Sequence, residues 1–303
     1  MAPTIIIDFR DASRGTDALA LARSLGDIAG ARYVTVTSYP RDRYARRPIH
    51  GWHSATPETK TVADLAKRLL GDESGAVTRV VGATSPARAL HEAAEREQAD
   101  LIVMGSSTRS AAGHVDASAS RRQALQGAPC AVALAPAAFA KTDARLAPVG
   151  VGFDGSAEAR LALSSAAGLA ETIGGELRVI SVLARPAPAH PMFAFTSYRE
   201  HVEQLRTECR SRLVDVLDDL AVSPEIEPLV VEGEPAEVLT AHADDLGLLV
   251  VGSRGYGPLR RVLLGSVSDA LLERAACPVM IVPRGVQRPF GAPVRHAQAA
   301  RSH

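Results

Sequence analysis

Three glycines and two serines in the last third of the chain have the types and spacing to hold an anion. The apolar run Leu248-Leu249-Val250-Val251 stops at Gly252, Gly255 follows after two residues, and Gly265-Ser266-Val267-Ser268 comes after nine more. Such a run closing on glycine predicts a buried strand entering a turn. Gly255 keeps side-chain bulk out of that turn, so a ligand can approach its backbone closely. Ser266, Val267 and Ser268 then predict the first turn of a helix continuing through Ala270, Leu271 and Ala275. The start of a helix offers unpaired N–H groups and the positive end of a dipole, both suited to phosphate. The two serines add hydroxyls, and Arg254, Arg260 and Arg261 can add charge, although solvated loop arginines need do nothing more. No Gly-Lys-Ser/Thr follows, so the pattern is not a P-loop. The glycines are also spread too widely for the dinucleotide fingerprint, which packs them into six residues.

These residues need a scaffold, and the chain predicts one of alternating strands and helices. Ile5-Ile6-Ile7, Tyr33 to Thr37, Val77 to Val81, Leu101 to Gly105 and Ala131 to Ala135 predict five strands in the first half. Between them lie helices, two of them opened by Pro57 and Pro86, with apolar residues at helical spacing such as Val62, Leu65, Ala66 and Leu69. An alanine-rich linker, Phe139 to Ala147, precedes a restart. Val149 to Phe153, Leu177 to Leu183, Pro228 to Val231, Leu248 to Val251 and Pro278 to Val282 predict the second set of strands. Ser156 is placed to cap the first helix of that half and Pro235 to open a later one. The order predicts an α/β fold, two tandem doubly wound parallel sheets of five strands each.

The halves are copies. Gly105 and Gly252, Cys130 and Cys277, and Pro136 and Pro283 are each 147 positions apart, and Phe9 pairs with Phe153 at a nearby offset. The Gly-x2-Gly-x9-Gly-Ser motif between strand and helix, set in this duplicated order of elements, resembles the nucleotide motif of the universal stress protein family. The resemblance covers residues 1–138 and 148–285, and leaves 286–303 as an expected disordered tail. It implies a Rossmann-like fold that binds ATP, accompanied by Mg2+, at the carboxyl ends of the strands, where the switch-point rule for open sheets also places a ligand. By the same resemblance Asp154 accepts a hydrogen bond from the adenine amino group or a ribose hydroxyl, and Val182 contacts adenine. Gly252, Gly255 and Gly265 shape the phosphate loop, and Ser266, Val267 and Ser268 donate N–H groups. Family dimers pair the closing strands, so Val132 and Leu134 are expected to meet Met280 and Val282 within one chain, with two tandem chains associating further as a homodimer.

The first copy departs from the motif. Thr108 stands for the second glycine, Ser118 for the third, Ala119 for the serine, and Arg10 aligns with Asp154 unless a one-residue slip brings Asp8 or Asp11 close. Threonine is strained where positive φ is required and crowds a phosphate. One nucleotide per chain, in the second domain, is the expectation.

Composition removes several rival classes. Lys plus Arg equals Asp plus Glu at 34 each, so no basic field argues for nucleic acid. Hydrophobic residues make up 46% and aromatics 4%, a composition suited to helix-covered parallel sheets. No apolar run reaches the roughly 18 residues of a membrane helix. The short N-terminal apolar run lacks a preceding basic segment, and a cytoplasmic protein is expected. Cys130, Cys209 and Cys277 have no metal-type spacing. His50 and His53, and the basic run Arg41, Arg43, Arg46 and Arg47, suit a solvated loop. No general base is placed by the motif, which favours a regulatory or protective nucleotide switch. A slow ATP hydrolase or nucleotidyl-transfer enzyme, and a nucleotide-free dimerisation protein, are the alternatives.

Overall fold

A computed structural model describes residues 2–41, 55–71, 76–106, 119–142, 145–183, 195–218, 224–253, 264–286 and 289–292. The first half runs β1 (Thr4–Asp8), α1 (Ala12–Ala29), β2 (Arg32–Pro40), α2 (Pro57–Leu70), β3 (Val77–Ala83), α3 (Pro86–Glu97), β4 (Leu101–Gly105), α4 (Ala119–Leu125) and β5 (Ala131–Ala135). The second runs β6 (Val149–Gly152), α5 (Ala157–Ile173), β7 (Leu177–Leu183), α6 (Phe195–Asp218), β8 (Ile226–Glu232), α7 (Pro235–His242), β9 (Leu248–Gly252), α8 (Ser266–Arg274) and β10 (Val279–Val282). Local chemistry explains the helix starts. Pro57, Pro86 and Pro235 occupy the opening turn, where a missing N–H costs nothing. Asp11, Thr56, Ser85 and Ser156 each accept an N–H three residues on with their side chains.

The strands form one ten-stranded sheet in the order β3-β2-β1-β4-β5-β10-β9-β6-β7-β8. Within each half all pairings are parallel; only β5 and β10, where the halves meet, run antiparallel. One face is covered by α1, α2, α5 and α6, through side chains such as Leu21, Leu25, Leu163 and Leu213. The other is covered by α3, α4, α7 and α8, through Leu90, Leu125, Leu239 and Leu271. Burial on both faces explains why the strands read as apolar runs rather than as alternating patterns.

The seam corrects the expected strand contacts by one residue. Val132 faces Ile281 and Leu134 faces Val279, while Ala133 faces Met280. Met280 and Val282 belong to the opposite side of the sheet from Val132 and Leu134. Side chains alternate strictly along a strand, so pairing those residues would have turned one strand's core inside out. Ala133 and Met280 occupy the same position in the two copies, so the local dyad passes through that pair.

Residues of the linker and of the stretch after the second domain make specific contacts. The buried Asp17 carboxylate accepts the N–H groups of Ala138 and Ala140, both at 2.9 Å, and Phe139 is buried beside it. In the stretch expected as a disordered tail, Phe290 is buried, and Ser165 Oγ donates to its carbonyl. The ring joins the core on the α5 side of the sheet, an apolar gain that the proline-containing context of the tail obscures. Among the described residues no helix is long and apolar enough to cross a membrane.

Candidate functional site

A cavity of about 960 Å³ opens at the carboxyl ends of β6, β7 and β9. Gly152, Phe153 and Asp154 form one wall, and Ser156 to Ala159, the N-cap and first turn of α5, extend it. Ile180 and Val182 of β7, Val251 of β9 and Leu239 of α7 supply apolar surface. Gly265 to Ser268, at the start of α8, stand at the polar side, with Ser253 and Arg284 completing the lining. Six of the residues expected from sequence thus meet around one cavity: Asp154, Val182, Gly265, Ser266, Val267 and Ser268, with Gly252 as a seventh. Arg254 and Gly255 lie outside the described residues, as do Arg260 and Arg261.

The donors are open where an anion would need them. The helical ladder of α8 begins with the Asp269 N–H donating to Gly265 O at 2.9 Å, which leaves the Ser266, Val267 and Ser268 N–H groups without intrahelical acceptors. Gly265 is the N-cap and has no side chain to accept them, unlike the capping residues of α1, α2, α3 and α5. A second polar group is held in reserve. Ser253 is 4% exposed and its Oγ has no hydrogen-bond partner among the described residues, although its N–H donates to Val282 O at 2.8 Å. A buried hydroxyl without a partner is costly, and a ligand in the cavity would remove that cost. Asp154 Oδ1 accepts the Ser156 N–H at 2.9 Å, which fixes the carboxylate at the rim with acceptor capacity to spare.

Two of the glycines, Gly252 and Gly265, lie in the cavity lining. A Cβ on Gly252 would lie 2.7 Å from the Glu158 carbonyl carbon, so its role is to let α5 approach the end of β9. Gly265 has φ −103°, which any residue adopts, so what matters there is the absence of a side chain at the helix start. Sequence reasoning missed Ser253, Glu158 and Arg284. Glu158 is buried at the cavity and pairs with Arg284, Nε to Oε1 at 3.2 Å. Ser253 adjoins Gly252 and was within reach of the motif. The Glu158–Arg284 pair joins residues far apart in sequence, and nothing local announces it.

In the first domain the equivalent residues are engaged with partners of their own. Ile5 faces Leu101 as Val149 faces Leu248, which sets Asp8 against Gly152 and Arg10 against Asp154. The structure therefore settles the alignment in favour of Arg10, while Asp11 is the N-cap of α1. Asp8 is buried and gripped by Arg10, whose Nε reaches Oδ1 at 2.8 Å and Nη2 reaches Oδ2 at 2.7 Å. Burial is the largest single influence on Arg10 and pulls its pKa down, but the charge and hydrogen bonds of Asp8, with the charge of Asp11, together outweigh it and hold the guanidinium more firmly protonated than usual. At the position of Ser268 stands Arg121, which is 1% exposed. Ser106, the twin of Ser253, donates its hydroxyl to Ala135 O at 2.7 Å. Thr108 and Ser118 lie outside the described residues, together with His50, His53 and most of the basic run.

Comparison with known proteins agrees with this geometry. The family model described as "Universal stress protein family" matches residues 5–136 and again 147–283. The universal stress protein Rv2005c of Mycobacterium tuberculosis is 34% identical over 190 residues, which is 61% of this chain and 62% of that protein. The chain thus spans somewhat less than two thirds of that relative's length. A universal stress protein of Mycolicibacterium smegmatis is 30% identical over 235 residues, 76% of each chain. The solved structure of a universal stress protein from Archaeoglobus fulgidus superimposes with a TM-score of 0.60 over 94% of this chain and 97% of that one, at 18% identity, a likeness of fold. With two matched domains joined in one sheet and the motif residues gathered at the carboxyl ends of the second, this chain belongs to the universal stress protein family.

Proposed function

We propose that the chain binds ATP in its second domain and acts as a nucleotide-dependent regulatory or protective switch in a stress response. The observation that carries this reading is the uncapped start of α8 facing the cavity, with three N–H donors set where phosphates would lie. The cavity lies within the size range of small-molecule and cofactor sites and has an apolar side for a base and a polar side for phosphates. Asp154 would accept from the adenine amino group or a ribose hydroxyl, and Val182 would pack against the base. Ser266 and Ser268 would add hydroxyl contacts to the phosphates. Arg254 and Gly255 are proposed parts of the same loop. Among the described residues no three His, Cys, Asp or Glu side chains cluster for a metal, so Mg2+ would arrive as the counter-ion of the phosphates. With β5 and β10 spent on each other, a dimer of tandem chains would use a different surface.

Native mass spectrometry of the purified chain tests the reading, supported by a phosphate-release assay. A retained or added ATP mass with negligible turnover is expected. Failure to bind ATP removes the proposal, and phosphate release at roughly 1 s⁻¹ or faster would replace the switch by an enzyme.

A further inference from the structure

The contact between α4 and α8 crosses from one domain to the other. Arg122 Nε donates to Asp269 Oδ1 at 2.7 Å, and Arg122 Nη2 donates to Glu273 Oε1. Asp269 and Glu273 are four residues apart on α8, so they project from the same side of that helix. Asp269 directly follows Ser266, Val267 and Ser268, whose N–H groups face the cavity side. Its carboxylate suits the positive end of the helix dipole. A bound polyphosphate would meet the same carboxylate as a like charge.

Arg122 and Asp269 occupy the same position of the duplicated sequence, 147 residues apart. Had both copies kept the acid, two carboxylates would confront each other across the dyad. The reversal to arginine in the first copy turns that clash into an ion pair. It does not serve mainly to join the domains. The groups are 32%, 45% and 54% exposed, and pairs at such exposure add little stability. The buried β5–β10 seam already makes that join. Glu158, one of the two carboxylates that line the cavity, is likewise matched by an arginine, Arg284.

We infer that Arg122, contributed by the domain without the nucleotide motif, is a positioning residue for the phosphate turn of the other domain. It neutralises Asp269 so that the first turn of α8 accepts a polyphosphate. This rests on the nucleotide reading above. The first domain is then part of the binding site of the second, rather than only its scaffold.

Calorimetric titration of the full chain with ATP and with adenosine, at low ionic strength, tests the inference. Arg122→Ala should weaken ATP by about fivefold, as expected for an uncancelled charge near several phosphate charges, and leave adenosine unchanged. Arg122→Lys should restore most of the ATP affinity. Adding Asp269→Asn to Arg122→Ala should restore it too, which a merely structural role for Arg122 would not do. Equal losses for ATP and adenosine, or no loss for ATP, would overturn the inference while leaving the nucleotide site standing. A wild-type chain that binds neither ligand would instead remove the nucleotide reading, and this inference with it.

Discussion

In the second domain the end of the first strand carries Gly152 and Asp154 and opens on a cavity; in the first domain the same two positions carry Asp8 and Arg10, locked together. The scaffolds around them barely differ. Strand registers match, the equivalent cysteines Cys130 and Cys277 are both buried, and burial pushes both thiols up, Cys277 to about 12. Duplication has preserved what the shared sheet needs, namely apolar strands, capped helices and the β5–β10 seam. It has not preserved the residues at the strand and helix ends: the first copy has a carboxylate where the second has glycine, and buried Arg121 where Ser268 stands.

The most severe way to break the contrast is to transplant it. Gly152→Asp with Asp154→Arg should place the first domain's ion pair in the second domain's cavity. ATP affinity should fall by at least about a hundredfold, some 2.8 kcal/mol in calorimetric titration. The Cβ of residue 152 would sit 3.1 Å from Leu239 Cδ1, close but against a side chain that can shift, so the fold should survive. Affinity within threefold of wild type would show that filling the site is not what separates the domains. A milder lesion is Gly265→Glu, which sets an acid at the uncapped start of α8. At least a tenfold loss, about 1.4 kcal/mol, is expected from the same titration.

Much of this contrast was legible before any coordinates. The 147-residue offset and the prolines and capping residues located the elements, because those signals act within a few residues of where they stand. Pairing of the closing strands was also legible, but not its register, since both edges are apolar on both faces and the alternation that would fix the register is missing. The Asp8–Arg10 pair was hidden because its meaning depends on which face the end of β1 presents. Phe290 was hidden because one aromatic in a polar, proline-containing tail becomes a core residue only once α5 lies beside it.

The twin serines sharpen the comparison. Ser253→Ala removes a buried hydroxyl that has no partner among the described residues, so stability should hold or rise while ATP affinity drops by about threefold. Ser106→Ala removes a buried hydrogen bond, and denaturant unfolding should show a loss of about 1 kcal/mol with ATP affinity unaltered. The reverse pattern would mean that the hydroxyls have been assigned to the wrong domains.

The smallest effect concerns acid. Hydrogen bonds from Arg32 hold the Glu97 carboxyl below its ordinary value of 4.5, with Arg79 assisting, and partial burial opposes them. A lowered folded-state pKa stabilises the protein above the unfolded value, and that contribution is lost as pH falls through the folded value. Glu97→Gln should therefore flatten the decline of Tm between about pH 5 and pH 3. An unchanged slope would remove this carboxylate from the acid response of the first domain.

The central claim is that one chain holds one nucleotide, in the second domain. Titration of the intact chain with ATP, read for stoichiometry alongside the Gly152→Asp/Asp154→Arg variant, tests it most directly. The expected result is one equivalent bound by the wild type and none detectable at the same concentrations in the variant. Two equivalents in the wild type, or one equivalent surviving in the variant, would contradict it.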